Sequence, residues 1–147
     1  MSIQDQLLDA MKVAMKAKDS LRLTTIRMAR TALKNVEIDT RQELDEAAAI
    51  KVLSTLVKQR REAAEAYRET RPELAEKEDL EVVILQEFLP AQLSEAEIEA
   101  LVAKAVAESG AGSLKDMGAV MKLVTPQTTG RADGKLVSNL VRKLLAG

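Results

Sequence analysis

The 147 residues suffice for one ordinary domain or two small ones sharing a core boundary. Hydrophobic residues make up 46%, mostly Leu, Ala, Val, Ile and Met, and Tyr67 and Phe88 are the only aromatics, a palette that suits helix-on-helix packing and disfavours a β-sandwich. The chain has no Cys and no His and a formal net charge of −1, which removes disulfide frameworks, Ser-His-Asp and Cys-His nucleophile systems and nearly every zinc site, so that any general base has to be a carboxylate, Lys or Tyr.

Ser2 opens the first predicted helix, with Asp5 three residues on and an apolar face of Ile3, Leu7, Leu8, Met11 and Met15. Asp5 and Asp9 interrupt the apolar residues of this stretch, so neither a secretory nor a mitochondrial leader is visible in it. No run approaches transmembrane length, and the expected compartment is the cytoplasm, with no membrane partner. Asp19 or Ser20 starts a second helix that runs to about Asn35 and carries Leu23, Ile26 and Leu33, with Val36 just beyond. A third fits 43–69, with a seam of Ala49, Leu53, Leu56, Ala63 and Tyr67; Arg60 falls on that seam where an apolar residue is expected.

Pro72 suits the first turn of a fourth helix, where its missing N–H costs nothing. The run "VVILQEFL" is apolar on more than one side, which predicts a helix packed between neighbours. Leu89–Pro90 ends it, because the residue before a proline avoids the α region. In "LSEAEI", Ser94 and Glu97 form a capping box and Leu93 staples against Ile98. Three short helices follow, at about 94–109, 113–124 and 134–146, with Ser113 capping the second, Thr125–Pro126 ending it and Asp133 capping the third. The expected fold is therefore all-α: a multihelical N-terminal domain, 1–91, followed by a small three-helix C-terminal bundle, 92–147.

Charge is unevenly spread. Residues 1–36 hold seven basic and three acidic side chains, 72–100 hold nine acidic and one basic, and 111–147 hold six basic and two acidic. Basic ends flanking an acidic middle fit an anionic partner, and they equally fit neutralisation within the chain. Carboxylate pairs such as Glu65/Glu69 and Glu95/Glu99 read as solvated surface, since acid–base work needs a pocket that shifts a pKa. "GAGSLK" lacks the length and ending of a P-loop. Met11/Met15 and Met117/Met121 read as core filler rather than an adaptable groove. Three helix faces carry basic stripes: Arg27, Arg30 and Lys34; Lys12 and Lys16; Lys58, Arg61 and Arg68. Each is either a phosphate-binding stripe or an ordinary wet surface.

The stretch "TTGRADG", 128–134, sets two glycines around a lone arginine. Lys122 lies before it, Lys135 opens the helix after it, and Arg142 follows on that helix. Gly130 allows a positive φ or a close backbone approach, and a helix start presents N–H groups and a positive dipole end. These features suit an RNA phosphate or sugar edge. They also suit a plain turn with Arg131 in water.

Four stretches, "RMARTALKN" (27–35), "LVKQRREAAEAY" (56–67), "FLPAQLSEAEI" (88–98) and "DMGAVMKLVTPQTTGRADGKLVSNLV" (116–141), closely resemble the YqeY-like proteins over essentially the whole chain. That family is related to the C-terminal tail of the B subunit of the bacterial tRNA-dependent amidotransferase, GatB, whose tail helps to hold tRNA. The resemblance implies an all-α fold in two helical parts. It implies tRNA or structured RNA as partner, with Lys122, Gly130, Arg131, Lys135 and Arg142 as the candidate contacts, in a module accessory to amidotransferase or translation. It transfers no activity, because this chain corresponds to the tail and not to the catalytic cradle with its Mg and ATP site; the expectation is no catalytic residue, no metal and no cofactor. The alternatives are an adaptor whose acidic 72–100 segment meets a protein partner, and a glutamine-dependent carbon–nitrogen ligase, as the family label would imply.

Overall fold

The computed structural model describes residues 1–146, and those residues contain helices and turns without a strand. In chain order the helices are α1 (Ile3–Ala17), α2 (Ser20–Thr40), α3 (Glu46–Tyr67), α4 (Pro72–Gln86), α5 (Glu95–Ser109), α6 (Met117–Thr128, preceded by a 3-10 turn at Leu114–Asp116) and α7 (Gly134–Ala146). The chain divides into two compact units, Met1–Pro90 and Ala91–Gly147.

In the first unit, side-chain oxygens cap three of the four helices. The Ser2 hydroxyl accepts the Asp5 N–H at 3.1 Å, the Asp19 carboxylate accepts that of Arg22 at 3.1 Å, and Asp45 accepts that of Ala48 at 2.8 Å. The Asp45 cap starts α3 three residues later than the spacing alone suggests, because the chain enters the helix where an acceptor meets its orphan donors. Ile3, Leu7, Ile26, Leu33, Leu53 and Leu85 are fully enclosed at the centre, with Phe88 closing one side. The expected α3 seam drifts. Its buried residues are Ala49, Leu53, Leu56, Val57 and Ala64, while Tyr67 is 36% exposed. The reason is geometric: the expected positions repeat every seven residues, whereas a straight helix turns about 20° out of step per heptad.

Helix α4 is covered by α3 and α2. Val82 and Leu85 are buried, but Leu80 and Val83 are 46% and 57% exposed, so "VVIL" is packed on one side and open on the other. This corrects the expectation of a helix enclosed by neighbours.

In the second unit, Ser94 and Glu97 form the reciprocal capping box, at 3.1 and 3.3 Å. Ile98, Val102, Val120, Val124, Val137 and Val141, from α5, α6 and α7, form its centre, with Leu93 packed against them. Gly110, at φ +70°, turns the chain out of α5. Asp116 ties the start of the next segment, accepting the Gly112 and Ser113 N–H groups at 2.9 and 3.3 Å. Helix α6 does not end at Thr125 but runs through Pro126 to Thr128. A proline in the last turn forfeits one backbone bond. Threonine hydroxyls support the helix end instead, from Thr128 to the Val124 carbonyl (3.2 Å) and from Thr129 to that of Thr125 (2.8 Å).

Candidate functional site

Loop 128–134 follows directly from the end of α6. Thr128 is its last helical residue, and the Arg131 and Ala132 N–H groups both donate to the Thr128 carbonyl, at 2.9 and 3.0 Å. Gly130 takes φ +79° and is buried. Its carbonyl accepts the Gln92 side-chain amide at 2.8 Å. The Arg131 carbonyl accepts the Leu93 N–H at 2.7 Å, and Arg131 Nε donates to the Ala91 carbonyl at 3.2 Å. Three bonds thus hold the first residues of the unit against a loop some forty residues away. Gly130 and Arg131 build this joint, and the buried Gly130 offers no surface for a ligand to approach.

Gly134 differs from Gly130. It begins α7 without a positive φ, and a Cβ there would meet no atom within 4 Å. Gly130→Ala is expected to destabilise the protein by about 1–2 kcal/mol, since an L side chain is strained in the left-handed region. Gly134→Ala is expected to be neutral or to stabilise by about 0.5 kcal/mol. Thermal melts of both variants check the pair, and equal melts would mean that the loop is not a structural joint.

The start of α7 is capped by its own chain. The Asp133 carboxylate accepts the Lys135 N–H at 3.0 Å, and its carbonyl accepts that of Val137 at 3.1 Å. The chain's own anion thus takes the Lys135 N–H and sits at the end of α7 that a phosphate would seek. What remains for a partner is the outer face of α7. Val137, Leu140, Val141 and Leu145 turn inward. Lys135, Asn139 and Arg142, spaced four and three apart, lie together on the exposed face, with Lys143 beside them. The Arg142 guanidinium reaches Asn139 Oδ1 at 3.5 Å. Lys122 is exposed on α6, and no hydrogen bond or ion pair joins it to this stripe. The structure therefore places Lys135 and Arg142 on one face, draws half-buried Arg131 into the joint, and leaves Lys122 separate.

A second polar cluster lies in the first unit, around the misfit Arg60. Its guanidinium is 2.8 Å from Met28 Sδ on α2, 3.7 Å from Glu78 Oε2 and 3.6 Å from Glu81 Oε2 on α4. The Glu81 and Glu78 side chains are only 8% and 15% exposed, and neither Arg60 Nε nor Glu78 Oε2 has a hydrogen-bond partner. Burial pushes the Glu81 carboxyl above its usual range, and the neighbouring Glu78 pushes it further; Arg60 and Lys77 pull the other way. The apolar seam of α3 pointed to Arg60, but no local signal marked Glu78 and Glu81, which read as ordinary members of an acidic helix.

A carboxyl whose pKa is raised by folding contributes stability that is fully present below the ordinary carboxylate range and fades as pH rises through the raised value. Glu81→Gln removes this dependence. The variant is expected to match the wild type near pH 4.5 and to exceed it by about 1 kcal/mol at pH 8, measured as the difference in urea unfolding.

Among the described residues no group of three His, Cys, Asp or Glu is placed to hold a metal ion. Among the same residues no helix is long and apolar enough to cross a membrane.

Comparison with known proteins adds identity. The Yqey-like protein family matches residues 4–145. Similar proteins include three named "Altered inheritance of mitochondria protein 41, mitochondrial". That of Lachancea thermotolerans is 42% identical over 103 residues, covering 67% of this chain and 54% of that protein. That of Eremothecium gossypii is 41% identical over 97 residues, covering 65% and 52%. That of Kluyveromyces lactis is 42% identical over 80 residues, covering 53% and 43%. The matches span about half the length of these relatives. Their names place them in the mitochondrion, which overturns the expectation of a cytoplasmic chain. That expectation leaned on residues 1–16. Most of them lie in α1, where Ile3, Leu7 and Ala14 are buried, so packing of the helix accounts for the pattern of that stretch.

Proposed function

This chain belongs to the YqeY-like family, and from that premise we propose that it is a non-catalytic helical module that binds tRNA or another structured RNA, accessory to tRNA-dependent amidotransferase or to translation. The observation that carries this reading is the exposed cationic face of α7, with Lys135 and Arg142 one above the other and Lys143 beside them. Lys122, exposed on α6, adds a separate positive charge to the same unit, while Arg131 stays committed to the joint. In this reading 1–91 and 92–147 are separate domains, the second a three-helix RNA-binding bundle. Recognition is by the shape and backbone of folded RNA. A base-stacking platform is missing from the composition, since Phe88 is 8% exposed and Tyr67 is the one other aromatic.

The test is fluorescence anisotropy with total tRNA across a salt series, wild type beside Lys135→Ala/Arg142→Ala. Both positions are exposed, so the double variant keeps the fold. The expected result is weaker binding by about tenfold and a salt slope shallower by about one to two. No binding by the wild type at low salt would end the RNA reading. Glutamine- or ammonia-dependent turnover of misacylated tRNA by the chain alone would end the non-catalytic one. The adaptor reading draws on one observation, the exposed Leu80 and Val83 on acidic α4; co-purification with a protein after nuclease treatment would favour it.

A further inference from the structure

Between α1 and α2 the first unit carries an open groove of about 860 Å³ whose two walls differ in chemistry. The α1 wall presents Leu8, Met11 and Met15, at intervals of three and four, with Gln4 and Asp5 at its start and Leu33 at the floor. Leu8 and Met11 are partly buried, and Met15 is 50% exposed. The α2 wall presents Arg27, Arg30 and Lys34, again at intervals of three and four, with Thr31 and Asn35 beside them and Glu37 at the far end. None of these three cations forms an ion pair with a carboxylate among the described residues, unlike Arg22 on the same helix, which pairs with Glu87 at 2.6 Å. Arg30 instead lies across the floor with NH1 3.1 Å from Met11 Sδ.

We propose that this groove docks an acidic amphipathic helix of a partner protein, its apolar stripe on Leu8, Met11 and Met15 and its carboxylates against Arg27, Arg30 and Lys34. Three features select this occupant. The lining runs from Gln4 to Met15 along α1, about 16 Å at the rise of a helix, which accommodates three turns of an incoming helix. An apolar row beside a cationic row, both at helical spacing, matches a helix whose hydrophobic stripe is edged by Glu or Asp. A phosphate backbone would use the cations and leave the methionine wall idle, and a single anionic headgroup would meet one cation of a row about 10 Å long. Methionines are suited to the contact because their unbranched side chains repack around a ligand. The proposal concerns the first unit and stands apart from RNA binding by α7.

The experiment uses the full chain with methyl-labelled methionine. The six methionines comprise Met11 and Met15 in the groove, Met117 and Met121 in the second unit, and Met1 and Met28. The probe is a synthetic 20-residue helix with Leu at i, i+3 and i+7 edged by Glu; its Lys-for-Glu isomer and total tRNA are the controls. The expected result is saturable binding of the acidic peptide, shifts of the Met11 and Met15 methyls but not of Met117 and Met121, and no binding of the basic isomer. Arg27→Glu/Lys34→Glu, both at exposed positions that leave the fold intact, is expected to weaken the peptide by about tenfold or more. Failure of the acidic peptide to bind overturns the proposal. So does equal binding of the basic isomer, or movement of the Met11 and Met15 methyls with tRNA alone. Concentration-dependent self-association abolished by the same double variant would assign the groove to a second copy instead, and would overturn the proposal as well.

Discussion

Arg60→Ala is expected to destabilise the protein by about 3 kcal/mol or more, the range seen when one partner of a buried ionic group is removed. Arg60 faces both Glu78 and Glu81 at under 4 Å, and those carboxyls are largely withdrawn from water. Without it, two acids share an apolar wall between α3 and α4 and at least one must take up a proton. The variant should therefore lose most stability at high pH and recover part of it as pH falls, the direction already set by the raised Glu81. Urea unfolding at pH 5 and pH 8 measures both effects. Replacing the whole cluster, Arg60→Met with Glu78→Leu and Glu81→Leu, is expected to be neutral or stabilising, because the ionic geometry is loose and two polar atoms lack partners. A loss below about 0.5 kcal/mol for Arg60→Ala would show that water reaches the carboxyls and does the work assigned to the arginine.

Leu53→Ala is expected to cost about 2–5 kcal/mol. Leu53 is fully enclosed, at 0% exposure, on the face of α3 that meets the rest of the first unit. Truncation removes the burial of its side chain and leaves a cavity that neighbouring rigid helices fill only in part. Val83→Ala, on the open side of α4, is the matched control and should stay within about 0.5 kcal/mol of wild type. The comparison is made by chemical denaturation at one pH. Similar losses at both positions would mean that Val83 is covered in solution and that the outer face of α4 is an interface.

The helices and their starts were legible because their causes are local. Ser2, Asp19, Asp45, Ser94 and Asp133 are acceptors standing one residue ahead of a helical run; Ser2, Ser94 and Asp133 were identified from that position alone, and Asp19 stood beside Ser20 as one of two candidates. The miss at Asp45 is local too: the acidic, apolar-poor stretch before it let the periodicity be read three residues early. Pro126 shows where a local rule yields. Its preference for ending a helix was outweighed by threonine hydroxyls and by burial of Val124 and Thr128 in the second core.

Composition and spacing by themselves determined that this protein is all helical, that it lacks His and Cys chemistry, where five of its seven helices begin (α3 starts at Glu46 rather than 43, and α6 at Met117 rather than 113), and that Arg60 breaks an apolar seam. Each follows from residue identity or from neighbours within four positions. The tertiary structure alone decided which face of α4 stays open, that Gly130 and Arg131 are committed to holding Ala91–Leu93 while Gly134 is not constrained, that Glu78 and Glu81 meet Arg60, and that Arg27, Arg30 and Lys34 line a groove with the α1 methionines. These pairings join residues from 12 to 40 positions apart in the chain. Helical periodicity carries no term for such distances; only packing of one helix on another sets them.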